Sequence, residues 1–484
     1  MLIFHIITYI LLVLALSYYV MSAMQWYSYR INRVIFHFNN PKWHFIYFVL
    51  PILLYYLFVL VFNLSTIFYI YFFAVHLPLL YFWYKKLDKP LVFTSRVKRF
   101  FIFLFVILAF EIGICVAFKI FSFVLLIPII LAFILSAFYE KIIFDSYKNS
   151  AKKKLANMSE LTIIAITASY GKTSIKNFLF HILSIRFNCY KTPRSVNTLA
   201  GLVLDVNRDL PNDTKFYIAE AGAREKGDIK EITDFLSPKI AIVGQIGAQH
   251  IEYFKTLENI RNTKMELISS ENLQKAFIHV SANINIGNNQ KIELFGDDLT
   301  IVSDSLDGLL FEVIIDGKKE EFKTSLLGSF NATNLAVCIK VAHYLGMDIE
   351  TIRKAILSLK SVEHRLERLD VQGKIIIDDS FNGNFEGMKS SYLLAKTHNG
   401  RKVLVTPGIV ESTKEDNEKL AIIMDDVFDL VIITGFTNME ILDNTIKKAK
   451  KILLKDKSKL TDVLANETHA GDLILFSNDA PTYM

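Results

Sequence analysis

The sequence predicts a two-part molecule. An α-helical membrane segment of about five spans comes first. An α/β body follows, made of a phosphate-loop nucleotide-binding domain and a C-terminal, Rossmann-like α/β domain. Three observations predict this. Hydrophobic residues make up 52% of the 484-residue chain, mean hydropathy is +0.34, and the excess is gathered in the first 140 residues. From Leu161 onward, short apolar runs alternate with amphipathic stretches, the pattern of a mainly parallel sheet with helical crossovers. At the head of that second part, an apolar, β-branched run (161–167) meets a small-residue turn, then Gly171-Lys172-Thr173 and a helix-like pattern. Strand, turn, Gly-Lys-Thr and helix form the layout of a loop that wraps a polyphosphate.

The membrane segment is read first. Residues 3–24, 44–62, 67–84, 100–118 and 121–139 are apolar runs of about the 20 residues a bilayer requires. The first run lacks a basic start and a small-residue cleavage site, and further spans follow it; it reads as a span and not as a cleaved signal. Trp26, Tyr27, Trp43, Trp83 and Tyr84 stand at run ends, as interfacial anchors do. The connections 25–42 and 85–99 and the stretch after 139 carry Arg30, Arg33, Lys42, Lys85, Lys86, Lys89, Arg96, Lys98, Arg99, Lys141, Lys148 and Lys152 to Lys154. The positive-inside rule places all three in the cytoplasm. The N-terminus is then outside, and everything after Tyr139 lies in the cytoplasm, where ATP is. The chain reads as a multi-pass protein of the inner (cytoplasmic) membrane. The basic flanks suit anionic lipid head groups, so the net charge of +6 is a membrane feature; no nucleic-acid module accompanies it. Glu111, inside the fourth span, reads as a polar contact between helices. Cys115, Cys189 and Cys338 are scattered without a CxxC, which points to neither a disulfide framework nor a zinc site.

Residues 141–160 form a polar, Lys-rich linker. Beyond it, apolar runs at 216–219, 239–243, 277–280, 375–377, 403–405, 430–433 and 473–476 read as strands, with helix-like stretches between many of them. Residues 299–327 look like short antiparallel strands with a turn at Asp316-Gly317. A helical run (331–345, then 349–359) ends at a break near 359–364. The expected domains are therefore 1–140, a linker 141–160, 161–360 and 361–484.

Chemistry collects at the ends of the strands, where parallel sheets bind ligands. Backbone N–H groups of the phosphate loop and the following helix N-terminus attract a polyphosphate, with Lys172 neutralising it and Thr173 offering a hydroxyl to Mg²⁺. The run 216–219 ends in Glu220, ahead of Arg224, and the run 239–243 leads to His250. A hydroxyl, a carboxylate and an imidazole beside a triphosphate are candidate Mg²⁺ partners.

Seven segments carry a resemblance: ITASYGKTS (166–174), TPRSVNTLAG (192–201), EAGAREKGDI (220–229), IGAQHIEYFKTLENIRNTKMELI (246–268), GSFNATNLAV (328–337), EHRLE (363–367) and IDDSFNGNFEGM (377–388). In this order they resemble the Mur ligase family, the ATP-dependent amide ligases of peptidoglycan precursor synthesis. The segments starting at 220 and 377 are most similar to its D-Ala-D-Ala-adding branch. The resemblance covers about 161 to the C-terminus. It implies a Mur-ligase-like central P-loop ATPase domain, a C-terminal α/β domain, and addition of D-Ala-D-Ala to a UDP-linked muropeptide through an acyl phosphate.

It also implies roles. Thr167, Ser169, Tyr170, Gly171, Lys172, Thr173 and Ser174 would form the ATP loop, with Asn331 and Asn334 towards the adenine and Arg365 and Asp379 closing from the C-terminal domain. Thr173, Glu220, His250 and a carbamylated Lys264 would hold two Mg²⁺ ions. An ammonium cannot ligate a metal, whereas a carbamate offers two oxygens and a negative charge. Lys172, Lys264, His250 and Glu220 would be the catalytic set; Asn197, Thr198, Arg224 and Asn382 would face substrate.

Three departures accompany the resemblance. Ala168 stands where the family has glycine, at a cost of about 1 kcal/mol if that position needs positive φ. The stretch 403–413 differs from the branch's usual segment. The membrane segment occupies the place of the family's small UDP-holding domain, which opens the alternative of a lipid-linked acceptor. A non-catalytic membrane scaffold for cell-wall enzymes is a third reading, against which Lys172, Glu220, His250 and Lys264 speak.

Overall fold

The computed structural model describes residues 2–27, 29–36, 40–87, 89–118, 123–248, 251–284, 289–381, 383–410 and 412–478. The chain divides into two compact units, Met1–Ser146 and Tyr147–Met484.

Among the described residues, five helices are long and apolar enough to cross a membrane: Ile3–Trp26, Pro41–Val61, Ser65–Lys85, Ser95–Ala117 and Leu126–Asn157. The first is the most enclosed, with Tyr9, Leu12, Leu16 and Tyr19 buried, whereas Phe105, Val106, Phe110, Ile134 and Phe138 on later helices are exposed apolar groups. Such an outer surface suits lipid. The second and third helices contain π-helical turns, two of which, Phe45–Val49 and Phe72–His76, run up to Pro51 and Pro78. Proline supplies no N–H for the regular ladder, and a wider turn accommodates the gap. The fifth helix runs unbroken to Asn157, so most of the expected linker is helical.

Polar groups tie the helices together. Tyr9 Oη donates to Glu111 Oε2 at 2.6 Å, and Val124 N donates to Glu111 Oε1 at 3.3 Å, placing Glu111 between helices as expected. Gln25 pairs with the main chain of Val92 in both directions, each at 2.9 Å. Arg96 lies 3.8 Å over the ring of Tyr29. The basic connection thus folds back on the end of the first helix.

The second unit carries three sheets. A six-stranded parallel sheet contains β1 (Thr162–Thr167), β2 (Cys189–Lys191), β3 (Phe216–Glu220), β4 (Ile240–Val243), β5 (Lys275–His279) and β6 (Ile292–Phe295), in the order β2-β3-β1-β4-β5-β6. A three-stranded antiparallel sheet follows: β7 (Leu299–Ser305), β8 (Gly308–Ile315) and β9 (Lys318–Thr324). Asp316 and Gly317, both at positive φ, make the tight turn between β8 and β9. After helices Ser329–Tyr344 and Ile349–Leu357 comes a second six-stranded sheet. It holds β10 (Glu367–Val371), β11 (Lys374–Asp379), β12 (Lys402–Thr406), β13 (Leu430–Thr434), β14 (Lys450–Leu454) and β15 (Leu473–Ser477), in the order β10-β11-β15-β12-β13-β14, with only β10 antiparallel. The break expected near 359–364 falls between Ile349–Leu357 and β10.

Register positions the site. β1 is central, with Ile166 opposite Glu220 of β3 and Thr167 opposite Val243 of β4. Three loops therefore leave the same edge at the same level. Helix Lys172–Ser184 buries Ile175, Phe178, Leu179, Ile182 and Leu183 against that sheet and helix Ser329–Tyr344.

Tyr9→Phe removes a donor from Glu111 and is expected to destabilise the full chain by about 0.6–1.7 kcal/mol. The check is its melting temperature in detergent, with Glu111→Gln, which still accepts from Tyr9, losing less.

Candidate active site

The phosphate loop is held from both sides. Gly244 N donates to Thr167 O at 2.8 Å, and Ser169 N donates to Gln245 O at 2.8 Å. Ser169 Oγ donates to Gly247 O and accepts from Gly247 N, both at 3.0 Å. Gly171 has φ +81 and caps helix Lys172–Ser184; a side chain there would run into Asn334 Oδ1. The glycine is needed both for its backbone and for the closeness of Asn334.

Ala168 has no positive φ, so the alanine carries no backbone strain. Its methyl occupies space elsewhere: a Cβ built on Gly244 would lie 2.8 Å from Ala168 Cβ. The glycine missing at 168 is matched by one at 244.

Cations converge behind this loop. Lys172 Nζ donates to Ala168 O at 2.5 Å, and Lys264 Nζ, from helix Leu257–Met265, donates to the same oxygen at 2.9 Å. Burial lowers the Lys172 ammonium to about 8, against the raising effect of Glu220. Burial, and then the charge of Lys172, hold Lys264 well below the usual lysine range. Arg365 acts on both Lys172 and Glu220, and its guanidinium is lowered by burial. Its head group lies 4.8 Å from the centre of the Phe381 ring. His364 and Leu366 on either side of it have φ +61 and +49, so the arginine sits on a strained turn. The turn is tied to β11 by a 2.8 Å contact between His364 Nδ1 and Asp378 Oδ2. Asp379 is half-buried, and burial pushes it up to about 6, with Ser391 and Arg365 acting the other way.

Glu220, at the end of β3, is 1% exposed and lies 2.7 Å from the equally buried Lys176 Nζ. Lys176 is a site residue that the motif reading passed over. A signal was present: it lies among the apolar residues on the inward face of helix Lys172–Ser184, where a charge requires a buried counter-charge.

The structure thus brings Lys172, Glu220, Lys264, Arg365, Asp379, Ser169, Tyr170, Gly171 and Asn334 to one region. Thr173 and Ser174 open the loop's helix, and Thr167 closes β1 with its hydroxyl buried and unpartnered. Asn331 is turned inward, its Nδ2 donating to Leu327 O at 2.8 Å, and so is engaged within its own helix start. Asn197 O accepts from Gly222 N at 2.8 Å. Thr198 caps helix Leu199–Arg208 through Gly201 N. Arg224 is exposed, its main-chain N–H donating to Asp228. His250 and Asn382 lie outside the described residues.

Among the described residues no three His, Cys, Asp or Glu side chains gather as a metal cage. One buried carboxylate and one hydroxyl, Glu220 and Thr173, are hard oxygen donors beside the phosphate loop. That set fits Mg²⁺, which keeps waters and takes one or two carboxylates together with substrate phosphates.

Residues 166–342 match the model of the Mur ligase middle domain. The chain is 30% identical over 301 residues to the UDP-N-acetylmuramoyl-tripeptide–D-alanyl-D-alanine ligase of Borreliella burgdorferi, covering 58% of this chain and 64% of the relative. It is 27% identical over 332 residues to the Bacillus subtilis enzyme of the same name, covering 65% and 72%. The chain therefore spans just under two thirds of the first relative's length. Among solved structures, MurF ligase from Thermotoga maritima in complex with ADP aligns with a TM-score of 0.62 and 26% identity, over 69% of this chain and 80% of that one. MurF from Acinetobacter baumannii aligns with the same score at 20% identity, over 69% and 77%, a likeness of fold.

The pairing of Ala168 with Gly244 predicts a compensating pair of substitutions. Gly244→Ala alone overpacks the loop and is expected to cost about 1–3 kcal/mol. Ala168→Gly in the same chain should recover part of that loss, as read by chemical denaturation of the four variants of the cycle.

Proposed function

We propose that this chain, which carries a Mur ligase middle domain at residues 166–342, is an ATP-dependent amide ligase of peptidoglycan precursor synthesis. It adds D-Ala-D-Ala to UDP-N-acetylmuramoyl-tripeptide. The observation that carries this reading is the basic character of the loop: Lys172 and Arg365 both act on Glu220, whose carboxylate is already paired with Lys176, and Lys264 shares the acceptor of Lys172. Such a site calls for a polyanion, and the named relatives are ligases.

In this reading Lys172 leaves its own loop carbonyl for the β- and γ-phosphates, while backbone N–H groups of residues 170–173 hold the rest. Thr173 and Glu220 hold Mg²⁺, which supplies charge neutralisation on the phosphates when bound. Arg365 steadies the phosphoryl group passing to the tripeptide carboxylate. The amine of D-Ala-D-Ala then attacks the acyl phosphate; its C–N bond forms, phosphate leaves with the C–O bond electrons, and the amine loses a proton. Enclosure by Arg365 and Asp379 keeps water from the acyl phosphate. Asn334 lies against the loop towards the nucleotide, and Asn197, Thr198, Arg224 and Asn382 serve the peptide side. His250 completes the metal set.

Lys264 has a further part. With its ammonium disfavoured by burial and by Lys172, it presents a free amine, the form that adds CO₂. The N–C bond forms and one proton leaves, giving a carbamate that answers the cations around it. A ¹³C-carbamate resonance from ¹³CO₂ is expected in the full chain at pH 8 and absent in Lys264→Ala; its presence in both would remove Lys264 from this role.

The five apolar helices favour a location in the cytoplasmic membrane with the catalytic unit in the cytoplasm. They also favour a second reading, in which the muropeptide is lipid-linked. The purified full chain with ATP, Mg²⁺, D-Ala-D-Ala and UDP-N-acetylmuramoyl-tripeptide is expected to release phosphate and form the pentapeptide, with Lys172→Ala lowering the rate at least about 100-fold. Ligation of the lipid-linked muropeptide alone would select the second reading, and turnover of neither would end both.

A further inference from the structure

Lys176 lies on the apolar face of helix Lys172–Ser184, one turn beyond Lys172, and its side chain is 1% exposed. Its ammonium makes two contacts. One is the 2.7 Å ion pair with Glu220 Oε1; the other is a hydrogen bond donated to the main-chain carbonyl of Arg194. Arg194 has φ +46, a strained conformation for a residue with a side chain. It lies in the loop between β2 and helix Leu199–Arg208, which also carries Asn197 and Thr198. The loop is fastened to the end of β3 a second time, by Gly222 N donating to Asn197 O. One buried ammonium therefore joins the carboxylate beside the phosphate loop to the backbone of the peptide-side loop.

Stability alone is a weak reason for such a pair. Two fully buried charges gain little over well-packed apolar groups of the same volume. What an ion pair does supply is direction. With one oxygen taken by Lys176, the orientation of Glu220 is fixed, and the same ammonium restrains Arg194 where the chain would relax.

We propose that Lys176 is a positioning residue that couples the two halves of the site, setting Glu220 towards the phosphates and holding loop 192–198 towards the muropeptide. The inference rests on the ligase reading above. It assigns Lys176 no contact with the reacting atoms.

The test uses the full chain in detergent with Lys176→Met, which keeps length and removes the charge. Three quantities are measured: Mn²⁺ affinity in the presence of ADP by electron paramagnetic resonance, UDP-N-acetylmuramoyl-tripeptide affinity by calorimetry without turnover, and melting temperature. The expected result is a fall of about tenfold in both affinities with a folded protein. Earlier melting with both affinities kept, or a fall in only one, overturns the coupling. If Lys176→Met does not fold, Lys176→Met with Glu220→Gln leaves no unpaired buried charge; tripeptide affinity must then fall about tenfold, and an unchanged value overturns the proposal. If the wild-type chain binds no tripeptide, it is the ligase reading with soluble substrate that fails. The Mn²⁺ arm then judges Lys176 alone, and a change under about threefold overturns it.

Discussion

One carbonyl oxygen organises the catalytic unit. Ala168 O receives both Lys172 and Lys264, at the point where β1 ends and the phosphate loop begins. A second ammonium at that acceptor is electrostatically unfavourable in a buried place, which holds Lys264 well below the usual lysine range, and Arg365 adds a cation from the turn that precedes β10. The arrangement persists because the scaffold around it leaves no room to relax. The loop is bonded to residues 244–247, Gly171 is pressed by Asn334, and the loop's helix is packed into the core. The unfavourable charge is a standing demand for an anion, and it is met at the carboxyl edge of a parallel sheet, where the backbone already favours one.

The two units obey different rules of burial. In the second, the apolar side chains of the two six-stranded sheets are buried against helices. In the first, apolar groups also face outward, while Tyr9 meets Glu111 between helices and Gln25 meets Val92 in an exposed contact at the end of the first helix. An outward apolar surface with a carboxylate held between helices is the pattern that suits a hydrocarbon surround, which cannot satisfy a polar group.

Much of this was legible in the sequence, and the reasons for the rest are specific. The buried strands β1, β3, β4, β5, β11, β12, β13 and β15 announce themselves as apolar runs, and Asp316-Gly317 marks its turn through the φ values it tolerates. β2, β6, β10 and β14 are missing from that reading because they lie towards sheet edges and are short or mixed in polarity, so local pattern does not separate them from loops. The π-helical turns leave only their prolines as a trace. Motif and strand-end position pointed to Lys172 and Glu220 and the resemblance to Lys264, but the close approach of Ala168 and Gly244 joins residues far apart in the chain, and no single-sequence pattern reveals it. Asn331, which the resemblance sets towards the adenine, donates through Nδ2 to Leu327 O at its helix start, a contact that no motif announces.

The outermost strand of the C-terminal sheet has a consequence for the crowd and not for the single molecule. β14 begins Lys450-Lys451 and is preceded by Lys447 and Lys448. Its outer backbone edge faces no further strand of its sheet. In the membrane location proposed above, copies would meet in two dimensions, at a local density far above that of free diffusion in volume. An open strand edge under those conditions would find its twin readily. Lys450 and Lys451 pair with Glu467 and Asp443, and Lys447 and Lys448 precede them, so a twin edge would meet charged side chains in place of a bare strand.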